Sequence, residues 1–232
     1  LFFVATVLLT ASSAGILLSR TLEMVAGRWG EVPSALSAVL RLTHYGHIWL
    51  LRIPALIVLW LGQISARRHR CRGWQGWAMM LAVAGIAMTR SESGHPADAG
   101  DLTAAVWIDW LHLVAGGVWV GSLFAMSLGV FPQLLARAQV KSEQAAEIFQ
   151  RLSRLAGVAL AVILLSGTYT AWRELGSWNE LWTTTYGRVL CGKITLVALM
   201  MGFGVYNRYV GLPDLLRVAG RPAAPRRGPQ AH

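Results

Sequence analysis

From Ala104 to Phe131 the chain runs through 28 residues with Asp109 and His112 as its ionisable groups. A helix rises about 1.5 Å per residue, and about 20 apolar residues cross a bilayer. This run is therefore long enough to span, and lipid leaves few options for the rest of the fold. Backbone polar groups in hydrocarbon must be satisfied internally, so the spanning elements are helices or a closed barrel. Apolar runs of this length select helices. Composition agrees: 55% of residues are hydrophobic and 14% charged, with a mean hydropathy of +0.48. Those values belong to the membrane class rather than to soluble domains. Eleven tryptophans fit it too, because indoles gather at membrane interfaces. A net charge of +10 would suggest nucleic acid in a soluble protein; in a membrane protein it is a topology signal, and no nucleic-acid partner is expected.

The pattern predicts an all-α polytopic bundle of about six spans, over residues 1–19, 43–65, 74–90, 104–131, 152–172 and 188–208. A short interfacial helix is expected at 33–42, after Pro33. Residues 1–42 thus form a first span with its loop, 43–208 a helical membrane core, and 209–232 a basic tail expected to be disordered. The opening run lacks the basic start and cleavage site of a signal peptide. The chain begins at Leu1, and an upstream segment is expected to precede it.

Basic residues orient the bundle. Arg67, Arg68, Arg70 and Arg72 fill one loop, Arg137, Lys141, Arg151 and Arg154 another, and Arg208, Arg217, Arg221, Arg226 and Arg227 follow the last span. The positive-inside rule places these in the cytoplasm together with both chain ends. His44, His47, His95 and His112 then all fall on the opposite side.

Ionisable groups at membrane depth are costly and mark function by default. His112 lies just inside its span after Trp107 and Trp110, which read as interface anchors. His44 and His47 stand three apart, sharing a face if the second helix has begun there. His95 rides a loop with Asp98 and Asp101 nearby. Imidazole is a common metal ligand, and several imidazoles meeting at one membrane surface suit copper, zinc, nickel or iron. Each histidine also has a plainer reading as a packing, capping or exposed side chain. Met88, near the outer end of its helix, is a candidate thioether ligand. Met79, Met80, Met126, Met200 and Met201 read better as core fillers. Trp119 lies between His112 and Met126 on one helix face.

Arg52 and Lys193 sit within spans and are expected to point into the bundle toward a carbonyl or carboxylate, with Asp109 a plausible partner. Gly117 and Gly121 have the spacing that permits close helix contact. Cys71 and Cys191 give neither a metal-site spacing nor a disulfide framework. There is no phosphate loop, nucleophile elbow or paired-carboxylate arrangement, and no internal repeat is evident. The chain is not expected to be an enzyme.

The segments Thr43-His-Tyr-Gly-His-Ile-Trp-Leu-Leu-Arg52, Gly94-His95, Leu111-His-Leu-Val-Ala-Gly-Gly-Val-Trp-Val-Gly121, Arg151-Leu-Ser-Arg-Leu-Ala156, Ser166-Gly167, Tyr186-Gly-Arg-Val-Leu-Cys-Gly-Lys193 and Asn207-Arg208 together resemble the copper-resistance protein D (CopD) family of bacterial inner-membrane proteins. The resemblance implies copper handling across the inner membrane, usually uptake from the periplasm, with a CopC-like periplasmic copper carrier as partner. By position it makes His95 and His112 the family-like histidines.

The resulting expectation is a copper site at the periplasmic mouth. His112 and His95 are its principal ligands, His44 and His47 are added ligands, and Met88 is an optional thioether. Arg52, Asp109, Lys193 and Trp119 support it. Membrane lipid, and a second copy or a larger membrane complex, are the further expected partners. Two rival readings stand beside this one. One is a b-type haem electron-transfer subunit, for which Gly116 and Gly117 beside His112 would admit a macrocycle. The other is an accessory subunit of a larger complex, in which the histidines are incidental.

Overall fold

The structure, a computed structural model, describes residues 2–68, 73–94, 100–130 and 142–206, and every described element is helical. Helix α1 spans Phe2–Met24, α2 Val32–Leu42, α3 His44–Leu50, α4 Arg52–Arg68 and α5 Gly73–Ser91. Helix α6 covers Ala104–Phe124 and continues as a π-helical turn at Ala125–Val130; α7 is Ser142–Glu174, α8 Glu180–Thr183 and α9 Thr185–Tyr206. Among the described residues, five stretches are long and apolar enough to cross a membrane: Phe2–Met24, His44–Arg67, Ala104–Leu128, Arg151–Glu174 and Thr185–Tyr206. The all-helical membrane bundle is borne out, with five such spans where six were expected. Helix α5 is the difference. It has 19 residues, but Gln75 near one end and Thr89-Arg90-Ser91 at the other dilute its apolar run.

The second span is broken where sequence reading made it continuous. Pro54 has no N–H to give to the Leu50 carbonyl four residues back, and its ring crowds that carbonyl. The chain accordingly turns at Leu51, whose N–H bonds the Ile48 carbonyl at 3.2 Å instead. The break places Arg52 at the head of α4. Helix α7, conversely, begins ten residues earlier than the span predicted at 152–172. The basic tail, Cys71, His69 and the loop carrying His95 lie outside the described residues.

The chain divides into two compact units, Leu1–Ser122 with Arg154–Thr170, and Leu123–Ser153 with Ala171–His232. In the first unit, α1 runs antiparallel to α3 and α4. Trp49 Nε1 donates to the Ser13 carbonyl at 3.1 Å, Trp60 Nε1 to Thr10 Oγ1 at 3.2 Å, and Gln63 Nε2 to Thr6 Oγ1. Such polar contacts join helices in lipid, where apolar surface gives no preference between a neighbouring helix and a lipid tail. Helix α4 packs on α5 through Leu59, Ala82 and Ile86, with Leu9, Ala55, Leu56 and Met79 around them. Met79 thus has the core role read for it. Trp110, expected as an interface anchor, donates Nε1 to the Ala84 carbonyl at 2.9 Å and so ties α6 to α5. Gly117 and Gly121 do not mediate a close contact among the described residues: a side-chain carbon at either would meet nothing within 4 Å.

A local repeat emerges that the sequence did not disclose. Thr43 leaves α2 in an extended conformation, donates its hydroxyl to the Val39 carbonyl at 2.6 Å, and accepts from the Gly46 N–H at 3.0 Å. In the second unit Thr184 leaves α8 in the same conformation, donates to the Glu180 carbonyl at 2.7 Å, and accepts from the Gly187 N–H at 3.0 Å. Each threonine caps the helix that follows. Each glycine lets the new helix pass hard against the old one, since an added side-chain carbon would strike the Val39 carbonyl at Gly46 and the Glu180 carbonyl at Gly187. Tyrosine stands two residues after each cap and a cation nine after it, Tyr45 with Arg52 and Tyr186 with Lys193. A handful of identities is too few to register as a sequence repeat. The capping geometry makes it visible.

Candidate functional site

The polar groups of the first unit gather at the end where α3 begins, α5 ends and α6 begins. His112 is half-buried on α6, and its Nδ1 lies 2.9 Å from Ser166 Oγ on α7. Ser166 also lies 2.5 Å from the Val162 carbonyl, to which its hydroxyl donates. A hydroxyl carries one proton and a carbonyl can only accept. The His112 bond therefore runs from Nδ1–H to Oγ, which leaves Nε2 as the lone-pair nitrogen. Gly167 allows the approach, since a side-chain carbon there would come within 3.2 Å of His112 Cε1.

The other described histidines are committed in the same way. His44 Nε2 faces Asp101 Oδ1 at 3.2 Å, both side chains more than half exposed. His47 Nε2 donates to the Arg41 carbonyl at 3.0 Å. In all three rings one nitrogen is tied to an acceptor and the other is left to accept or ligate. This is the arrangement in which an outer partner fixes the tautomer of a metal-binding histidine.

The rings do not form one coordination group. His44 turns to the loop before α6, His47 back to the end of α2, and His112 across to α7. No three His, Cys, Asp or Glu side chains among the described residues come together in a way that could hold a metal ion. His95 lies outside those residues. Met88 is half-buried near the end of α5, and Trp119 is half-buried on α6.

The support groups differ from expectation. Arg52 is buried, 2% exposed, as a charge within a span must be, yet its partner is not a carboxylate. Its Nε donates to Thr89 Oγ1 at 2.7 Å, and Thr89 passes its own proton to the Ile86 carbonyl at 2.7 Å. Asp109, proposed from sequence as the partner, instead accepts from Ser91 Oγ at 2.7 Å. Glu92 is 7% exposed and accepts the Leu102 N–H at 3.0 Å, tying the residues just before α6 to the end of α5. Lys193, expected to point inward, is exposed on α9 in the second unit. Cys191 carries a free thiol.

Sequence reasoning missed Thr89, Ser91 and Glu92, and did not pair Ser166 with His112. The available signal was the polar run Thr89-Arg90-Ser91-Glu92-Ser93 closing an apolar helix, and a lone serine in the apolar stretch of α7. Small hydroxyls inside spans commonly bond across helices.

Residues 146–231 match the copper resistance protein D family model. The chain is 29% identical over 213 residues to the copper transport protein CutJ of Bacillus subtilis (strain 168), covering 86% of this chain and 38% of that protein. It is 29% identical over 207 residues to copper resistance protein D of Pseudomonas syringae pv. tomato, covering 84% of this chain and 63% of the relative. It is 28% identical over 202 residues to the inner membrane protein YebZ of Escherichia coli (strain K12), covering 84% and 65%. The chain thus spans 38% to 65% of the length of these relatives. No solved structure gives a significant match. The resemblance read from the motifs is borne out: residues 146–231 carry the pattern of the copper resistance protein D family, and most of the chain aligns with relatives that include its namesake.

Proposed function

We propose that this chain is the membrane-embedded part of a copper-handling protein of the bacterial inner membrane, moving copper inward from the periplasmic side. The observation that carries this reading is the match, over most of the chain, to proteins named for copper transport and copper resistance. The polar end around His44, Asp101 and His112 faces the periplasm, because the loops rich in Arg and Lys lie at the opposite ends of the spans. Both ends of this chain are then cytoplasmic. Copper is cargo. It is received at the mouth by imidazole nitrogens, with the Nε2 of His112 as the deepest of them.

His95 and His112 are the principal ligands in this reading. His44 and His47 present their uncommitted Nδ1 atoms as a more exposed first contact, and Met88 offers a thioether suited to Cu(I). Arg52 and Asp109 hold the surrounding helices through Thr89 and Ser91. The protein performs no covalent chemistry, and copper moves by handover and gradient. A CopC-like periplasmic copper carrier supplies it.

Elemental analysis of the purified protein tests the reading. Copper should be retained by the wild type and lost when His95 and His112 are both changed to alanine. Unchanged copper content in that variant would remove both from the site. A visible spectrum of the reduced protein separates the haem reading, since a Soret band would replace bare copper by haem b.

A further inference from the structure

Two donors in the first unit are buried with nothing in the described protein to receive them. The Tyr45 hydroxyl and Arg52 Nη2 are both shielded from solvent and unpartnered, and Arg52 is 2% exposed as a residue. Its Nε is already spent on Thr89 Oγ1 at 2.7 Å. The guanidinium is thus anchored at Nε, while Nη2 has no partner among the described residues. Buried donors are almost always satisfied in native proteins, and an orphan one calls for an explanation.

Charge narrows what could satisfy them. Tyr45 lies within electrostatic range of Arg52, Arg20 and Arg90, with Glu23 as the opposing charge. Glu23 is held by Arg20 at 3.1 Å. Arg20 is compensated in this way, whereas neither Arg52 nor Arg90 has an ion pair among the described residues. A water molecule could accept one of the free protons, but it would leave that charge uncompensated. An anion does both.

We propose that Tyr45 and Arg52 form a seat for a compact anion with phosphoryl or carboxylate oxygens, which accept from the phenol O–H and from Nη2. Thr89 sets the guanidinium plane, and Arg90 adds to the positive field that draws the anion in. The seat is separate from the histidines, and its ligand is either a small ion from solution or the headgroup of an anionic lipid. The break at Leu51 brings it about, since it turns Arg52 into the first residue of a new helix.

The test uses the metal-free full chain in neutral detergent, so its outcome does not depend on the copper reading. Equilibrium dialysis measures binding of labelled phosphate and labelled acetate, and co-purification from mixed micelles measures labelled phosphatidylglycerol. Saturable binding near one equivalent is expected for at least one of these probes, and the probe that binds identifies the source. That binding should fall at least tenfold in Arg52→Gln and in Tyr45→Phe. Tyr45→Phe guards against misfolding, because it removes a hydroxyl that has no partner among the described residues and should leave thermal unfolding unchanged. Saturable binding to none of the three probes would overturn the seat, as would binding that Tyr45→Phe leaves intact.

Discussion

His112 and Ser166 are joined by a bond whose direction is fixed: Nδ1–H donates to an Oγ that has given its own proton to the Val162 carbonyl. Ser166 thereby decides which imidazole nitrogen remains open, and it stands on a different helix from the histidine it orients. Changing Ser166 to alanine should keep the fold, because alanine suits a helix and the lost hydroxyl was also bonded to its own helix. It should weaken copper binding by about 10–100-fold, the usual effect of removing a group that orients a ligand. A competitive titration against a chelator of known affinity checks it; affinity within a factor of two of wild type would show that the tautomer does not matter.

Gly167 governs the same ring by space rather than by hydrogen bonding. A methyl group there would approach His112 Cε1 at 3.2 Å, close enough to push the ring away from Ser166. Gly167→Ala should therefore reproduce the copper-binding loss of Ser166→Ala, while stability changes by less than about 1.5 kcal/mol because the ring can yield. Combining the two changes should add little, since both act on one ring orientation.

Gly46 and Gly187 offer no such relief. The atoms that an added side chain would meet are backbone, the Val39 and Glu180 carbonyls among them. Gly46→Ala and Gly187→Ala should each destabilise the protein, by about 1–3 kcal/mol if the helices can part slightly. Thr43→Val and Thr184→Val, which remove only the caps, should cost about 1 kcal/mol each. Thermal unfolding in detergent compares the four. Matching losses in both members of each pair would support the equivalence of the two junctions, and a large loss at one with none at the other would end it.

What the sequence made legible was whatever depends on long apolar runs. The helical class, the helix before Thr43 and the burial of Arg52 all follow from hydropathy and the cost of charge in lipid. What it hid depends on single contacts between helices. Asp109 is the only acidic residue within the apolar run 104–131, so it was the natural partner for Arg52; yet Ser91 reaches it first, and Thr89 reaches Arg52. Hydropathy cannot rank a serine above an arginine as a neighbour, since that choice depends on helix rotation. The break at Leu51 was not read, although Pro54 carries its cause, and it shows that one proline outweighs the apolar run around it in setting a helix end. The histidines were legible as a set of candidates, but among the described residues they form no coordination sphere, because His44, His47 and His112 turn to three different partners.

Thr89 carries the last prediction. It is 6% exposed and stands between a buried guanidinium and the Ile86 carbonyl. Valine has nearly the same shape, so Thr89→Val removes the acceptor without opening a cavity. The Arg52 Nε would then be an unsatisfied charged donor, at a cost of about 1–3 kcal/mol or more. Removing the charge as well should recover most of that loss, because replacing both partners with apolar groups of similar shape is nearly neutral. Thr89→Val should thus lower the unfolding temperature clearly, and Thr89→Val combined with Arg52→Met should restore it. If the double variant is less stable than Thr89→Val alone, Arg52 holds the bundle through some other contact, and the Thr89 bond is incidental.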